Sequence, residues 1–139
     1  MIIFRSILLK LPAILVMITI TILSSRSSFG GAQLFYGADK IFHFIAYAGL
    51  AFAVGLWFPR ESWLKFPIRN LLICTAIASV FGVFDEFHQS FVPGRSSDVW
   101  DWVSDTLGGA AGSAVVLFGS RVLDGRIQLS KIKEQRAKG

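Results

Sequence analysis

The chain has 139 residues, a net charge of +5, 53% hydrophobic residues and a mean hydropathy of +0.59. A water-soluble domain this small cannot hide so much apolar surface, because small folds leave a large share of their area exposed. Its basic residues sit between apolar runs and in the C-terminal tail, a pattern of membrane topology that argues against nucleic-acid binding.

The first apolar run covers about residues 7–23 and is interrupted by Lys10 and Pro12. A basic start, an apolar stretch and a following SSRSSFGGA also fit a signal peptide. The reading adopted is a retained helix, and the later runs keep their orientation either way. The second run covers about residues 41–58 and the third about 68–90, strongly apolar as far as Phe84. The third holds Cys74, the single cysteine, so no intramolecular disulfide can form. Its apolar neighbours make it a small buried hydrophobe and not a reactive thiolate. The fourth run covers about residues 102–120, and the basic tail, 121–139, is expected to be an amphipathic or disordered extension at the lipid surface. A bilayer core about 30 Å thick takes about 20 helical residues to cross. The expectation is therefore one all-α domain over residues 1–139, a polytopic transmembrane bundle of about four spans.

Charge sets the orientation. With both termini cytoplasmic, eleven of the 14 basic residues and three of the nine acidic ones lie inside, leaving +8 inside and −3 outside. Trp57 and Trp63 at one boundary, and Trp100 and Trp102 at the other, fit interfacial belts.

Three segments concentrate polar residues: Asp39 to Tyr47, Asp85 to Asp98, and Asp101 to Gly112. At about 1.5 Å of rise per residue, His43, Asp85 and Asp105 each lie roughly 24–26 Å from the arginine that closes the inner end of their run. They should therefore share one level near the outer edge of the membrane. Asp39, His43 and Tyr47 share a helix face, as do Asp85, His88 and Gln89, with Glu86 beside them. Asp98, Asp101 and Asp105 share another if a helix starts near Asp98. Ionisable groups at such depth should face the bundle interior or a wet cavity. Pro93-Gly94 reads as a turn. Gly108 and Gly112 form a GxxxG pair, and with the small residues of the second run, Ala48, Gly49, Ala51, Ala53 and Gly55, they point to close helix packing.

Asp39-Lys40, His43, Tyr47, Asp85-Glu86, Gln89, Pro93-Gly94-Arg95, Asp98, Asp101 and Gly108 together resemble the VanZ-like family, over about residues 38–114. The resemblance implies a bacterial inner-membrane, multi-pass protein of the cell envelope. The family takes its name from a member linked to teicoplanin resistance. Asp105 departs from the family pattern, which usually has Asn there, and an added carboxylate could favour a cation or hold a proton.

Three readings of the outer layer stand side by side. The first is a hydrogen-bonded network that ties helix ends together. In the second, the protein recognises an anionic lipid or cell-wall group. Lys40 and Arg95 would face the anion, with Tyr47, Asp85, Gln89, Asp98 and Asp105 completing the ligand site. In the third, it is a membrane-embedded hydrolase or transferase acting on a lipid-linked phosphate or peptidoglycan-related substrate. His43, Glu86 and Asp101 would then be its catalytic groups and Arg95 would stabilise developing charge. His43, Glu86, His88, Asp101 and Asp105 offer nitrogen and oxygen donors to a metal, but spacing alone sets no ligand geometry, so no metal or other cofactor is assigned. The expected partners are membrane lipids and a lipid-linked or cell-wall ligand. Four spans are few for a transporter.

Overall fold

The computed structural model describes residues 8–26 and 37–138. Arg5 and most of the SSRSSFGGA segment lie outside the described residues. Those described form helices and short links and include no strand: α1 (Leu11–Ser24), α2 (Ala38–Gly55), the short α3 (Arg60–Lys65), α4 (Pro67–Gln89) and α5 (Val99–Lys138). Pro12 and Pro67 lie in the first turns of α1 and α4, where a missing N–H costs nothing. Gly37 enters α2 at φ +83°, a left-handed conformation that glycine adopts without strain.

The helices are apolar on the outside. Ile68, Phe84, Phe91 and Phe118 are exposed, whereas the fully buried side chains include Asn70, Asp105 and Ser113 beside Tyr47, Leu50, Val54 and Trp63. That inversion suits a lipid solvent. α2, α4 and α5 are each long and apolar enough to cross a membrane, and α1 adds a shorter apolar helix of 14 residues. The chain is thus an all-helical membrane protein with three to four candidate spans.

α5 packs most extensively on α2 and next on α4. α2 and α5 run parallel, and α4 runs antiparallel to both. Small residues allow the closeness. A Cβ at Gly108 would collide with the Phe44 carbonyl, and one at Gly112 with the Ala48 carbonyl, so the two backbones touch. Gly109 turns to α4, where a Cβ would meet Ala78 at 2.9 Å. Hydroxyl pairs join the same seam: Thr75 with Ser113 at 3.3 Å and Ser79 with Thr106 at 2.8 Å. The GxxxG expectation holds for Gly108 and Gly112, but Gly49 faces outward with open space around it.

One other expectation changes, and of the two alternatives for the tail the disordered one drops out. Trp63 belongs to no lipid-facing belt: it is fully buried and its indole N–H donates to the Gly55 carbonyl at 3.0 Å. Gly55 lets this happen, since a Cβ there would lie 2.8 Å from Val116 Cγ2. The basic tail is helical and continuous with the fourth apolar run. At about 1.5 Å per residue α5 is roughly 60 Å long, twice the thickness of a bilayer core. Beyond Ser120 its described residues are exposed except Asp124, which lies 3.7 Å from Arg60.

Replacing Gly112 with Val should force the α2 and α5 backbones apart, lowering stability by about 3 kcal/mol or preventing folding. Gly119→Ala, in open space, should be nearly neutral. Thermal unfolding of the detergent-extracted protein, read by size-exclusion fluorescence, would separate the two.

Candidate functional site

The start of α2, the end of α4 and the start of α5 meet at one end of the bundle, where the sequence concentrates its carboxylates. The link between α4 and α5 is shaped by a turn. Pro93 and Gly94 occupy its centre, Gly94 has φ +79°, and Arg95 N–H donates to the Val92 carbonyl at 3.1 Å, as a type II turn requires. The turn returns the chain to Asp98, which caps α5 by accepting the Trp100 N–H at 2.9 Å.

Lys40 gathers one group of acids. Its Nζ lies 3.1 Å from Asp39, 2.8 Å from Asp98 and 3.0 Å from Asp101. An ammonium has three protons, and each has a carboxylate. Asp98, outside the helices, has its carboxyl held below the ordinary range by the Lys40 ammonium and by the Trp100 N–H. Its own N–H donates to Glu86 Oε2 at 2.7 Å, which fastens α4 to the start of α5.

His43 lies one turn deeper. Its Nδ1 is 2.9 Å from Asp105 Oδ1, its Nε2 is 4.0 Å from Asp101 Oδ2, and its ring stacks on Tyr47 with centroids 6.2 Å apart. With Asp105 ionised the carboxylate only accepts, and Nδ1 carries the proton in that contact. Asp105 is fully buried and Glu86 is 6% exposed. The Tyr47 hydroxyl, Glu86 Oε1 and Asp105 Oδ2 are buried without a hydrogen-bond partner among the described residues. One donor atom from each of His43, Glu86 and Asp105 lies within 4.8 Å of the others.

A third group faces α1. Asp85 Oδ2 accepts from the Ser24 hydroxyl at 2.9 Å and from Gln89 Nε2 at 3.0 Å. All three residues are buried. His88, expected on this face, is exposed and meets the Ser25 hydroxyl at 3.0 Å instead. The buried arc of α4 is centred between Asp85 and Glu86, which leaves His88 on its far edge. Arg95 also lies aside from the acids. Its Nε donates to the Arg26 carbonyl at 3.3 Å, and it makes no ion pair among the described residues.

Of the expected site residues, Lys40, His43, Tyr47, Glu86, Asp98, Asp101 and Asp105 come together, Asp85 and Gln89 sit beside them, and Arg95 is at the rim. Two residues escaped the sequence reading. Gly82 makes room for Asp105, since a Cβ there would be 2.6 Å from Oδ2. The signal was a glycine one turn before Glu86. Ser24 supplies a partner for Asp85, and nothing in its local sequence points across to α4.

Among comparisons with known proteins, a family model described as VanZ/LLP1 matches residues 3–120. No curated protein and no solved structure matches the chain.

Removing the Lys40 charge should cost more than removing any one of its outer partners. Lys40→Met leaves the 9%-exposed Asp101 side chain without a cation, and the expected loss is about 2 kcal/mol. Asp39→Asn, at a more open pair, should cost about 0.5 kcal/mol or less. Denaturant unfolding in detergent would rank them.

Proposed function

The chain belongs to the VanZ/LLP1 family, and from that premise we propose that it is a multi-pass protein of the bacterial inner membrane. In this reading its acidic end faces outward and recognises an anionic lipid or a lipid-linked cell-wall group. The orientation rests on charge: among the described residues, ten of the 13 basic ones lie towards the opposite end or in its extension. Occupying or masking such a group would change the access of a glycopeptide such as teicoplanin to its target.

The observation that carries this reading is the contrast between two cations. Lys40 is held by three carboxylates. Arg95 uses only its Nε, on a backbone carbonyl, and its planar fork of terminal nitrogens suits a phosphate or carboxylate. Arg26, whose carbonyl Arg95 contacts, adds a second positive charge nearby. Beside this rim, the half-exposed Asp98 carboxylate can bond to the hydroxyl and amide groups of a sugar or peptide.

A second reading rests on the His43–Asp105 contact. A histidine fixed by one aspartate at 2.9 Å, with its other nitrogen 4.0 Å from Asp101, is arranged as an acid–base group. A hydrolase or transferase acting on a lipid-linked phosphate would use His43 with Glu86 or Asp101, and Arg95 would stabilise developing charge.

Mass spectrometry of lipids retained in native membrane patches tests both. Wild type should enrich one anionic or polyprenyl-linked lipid, and Arg95→Ala should lose it at equal folded yield. Identical profiles from the two would count against recognition by Arg95. His43→Ala should keep the lipid and lose turnover if the second reading holds. In a Cys74→Ala background, Ser97→Cys should react with a membrane-impermeant thiol reagent added to intact spheroplasts, and Ser130→Cys should react only after lysis.

A further inference from the structure

The acidic end contains two carboxylate groups of similar size, and they are neutralised differently. Asp39, Asp98 and Asp101 surround the Lys40 ammonium. His43, Glu86 and Asp105 form the second group, one helical turn deeper, and no lysine or arginine reaches it among the described residues. We propose that this second group is a binding site for a divalent transition ion of the Zn2+ or Mn2+ class.

Two buried oxygens point to it. Asp105 is fully buried and Glu86 is 6% exposed, yet Asp105 Oδ2 and Glu86 Oε1 have no partner. A buried acceptor left unpaired costs on the order of 1–3 kcal/mol, and more when it is charged. Glu86 therefore has coordination to offer beyond the Asp98 N–H at 2.7 Å, and the ion would take the place of the proton between His43 Nδ1 and Asp105, 2.9 Å apart. Gly82, one turn before Glu86 on the same helix, lets the Asp105 carboxylate sit this close, since a Cβ there would lie 2.6 Å from Oδ2.

The donor set names the class of ion. One imidazole nitrogen with two carboxylate oxygens is a mixed set that suits Zn2+ or Mn2+ better than Ca2+, which takes oxygen alone. The three donor atoms lie within 4.8 Å of one another. Bonds of about 2.0–2.2 Å set adjacent donors roughly 3–3.5 Å apart, so small side-chain adjustments close the site. Three protein ligands leave a position open towards Asp101, whose Oδ2 is 4.0 Å from His43 Nε2. The dication would balance the two carboxylates. This site stands apart from lipid recognition by Arg95. It excludes His43 as a free general base, because a nitrogen that holds an ion cannot also take a proton.

The test uses the full chain in native membrane patches, stripped of metal and titrated with Zn2+ alone and with Mn2+ alone. Equilibrium dialysis with elemental analysis should find one ion per chain. Glu86→Gln and Asp105→Asn, which preserve side-chain volume, should each weaken binding at least tenfold, while Asp98→Asn should leave it within about threefold. Should either variant fail to fold, the wild type still decides. Bound Mn2+ should show nitrogen-14 modulation from one imidazole in its electron spin-echo envelope. The proposal is overturned if folded wild type binds neither ion stoichiometrically, if Glu86→Gln and Asp105→Asn bind as wild type does, or if bound Mn2+ carries no nitrogen coupling.

Discussion

The structure depends on one constraint: the backbones of α2 and α5 touch. Gly108 and Gly112 place α5 against the carbonyls of Phe44 and Ala48, a distance that no side chain larger than hydrogen permits. In lipid, where apolar side chains gain nothing by leaving solvent, such contact supplies much of the attraction between helices. It also sets a register. With the two helices parallel, every residue near the start of α2 has a defined neighbour near the start of α5. Lys40 meets Asp101, and His43 meets Asp105. A shift of one residue would turn these side chains about 100° away from each other.

α4 completes the layer through a different kind of bond. It reaches α5 by hydroxyl pairs and by Gly82, whose bare backbone receives the Asp105 carboxylate. Glu86 then holds the Asp98 N–H, and Asp98 at once caps α5 and binds Lys40. One residue thus joins all three helices. Disturbing it would loosen the cap, the ion pair and the link to α4 together, which is why the loop needs a defined Pro-Gly turn to deliver it.

Much of this was legible in the sequence. Hydropathy and charge pointed to a helical membrane protein, the spacing of four placed Asp39, His43 and Tyr47 on one face, and Pro93-Gly94 announced its turn. What the sequence did not carry was pairing across helices. Three carboxylates within reach of one lysine look the same in sequence as three scattered acids. His88 illustrates the limit: it lies three residues from Asp85, close enough to share a face, but the buried arc of α4 is narrower than that and excludes it. Trp63 shows the reverse, since a tryptophan near an interface is as well placed to cap a carbonyl inside the bundle as to meet lipid. Gly82 carries no chemistry of its own, so only the position of Asp105 reveals its role.

The parallel arrangement of α2 and α5 has an electrostatic cost that the acidic layer offsets. Aligned helix dipoles repel, and both place their positive ends at the same end of the bundle. Asp39 lies in the first turn of α2, Asp101 lies in the first turn of α5, and Asp98 caps that helix. Each acid is therefore favoured by the helix that carries it as well as by Lys40. α2 ends at Gly55, whereas α5 runs on unbroken, so its negative end lies at the tip of the extension, where Arg136 and Lys138 stand in the last turn. The uneven spread of charge along the chain is thus also what lets its two closest helices run side by side. It concentrates carboxylates where Lys40 can balance only some of them, and leaves Glu86 and Asp105 to find counter-charge elsewhere.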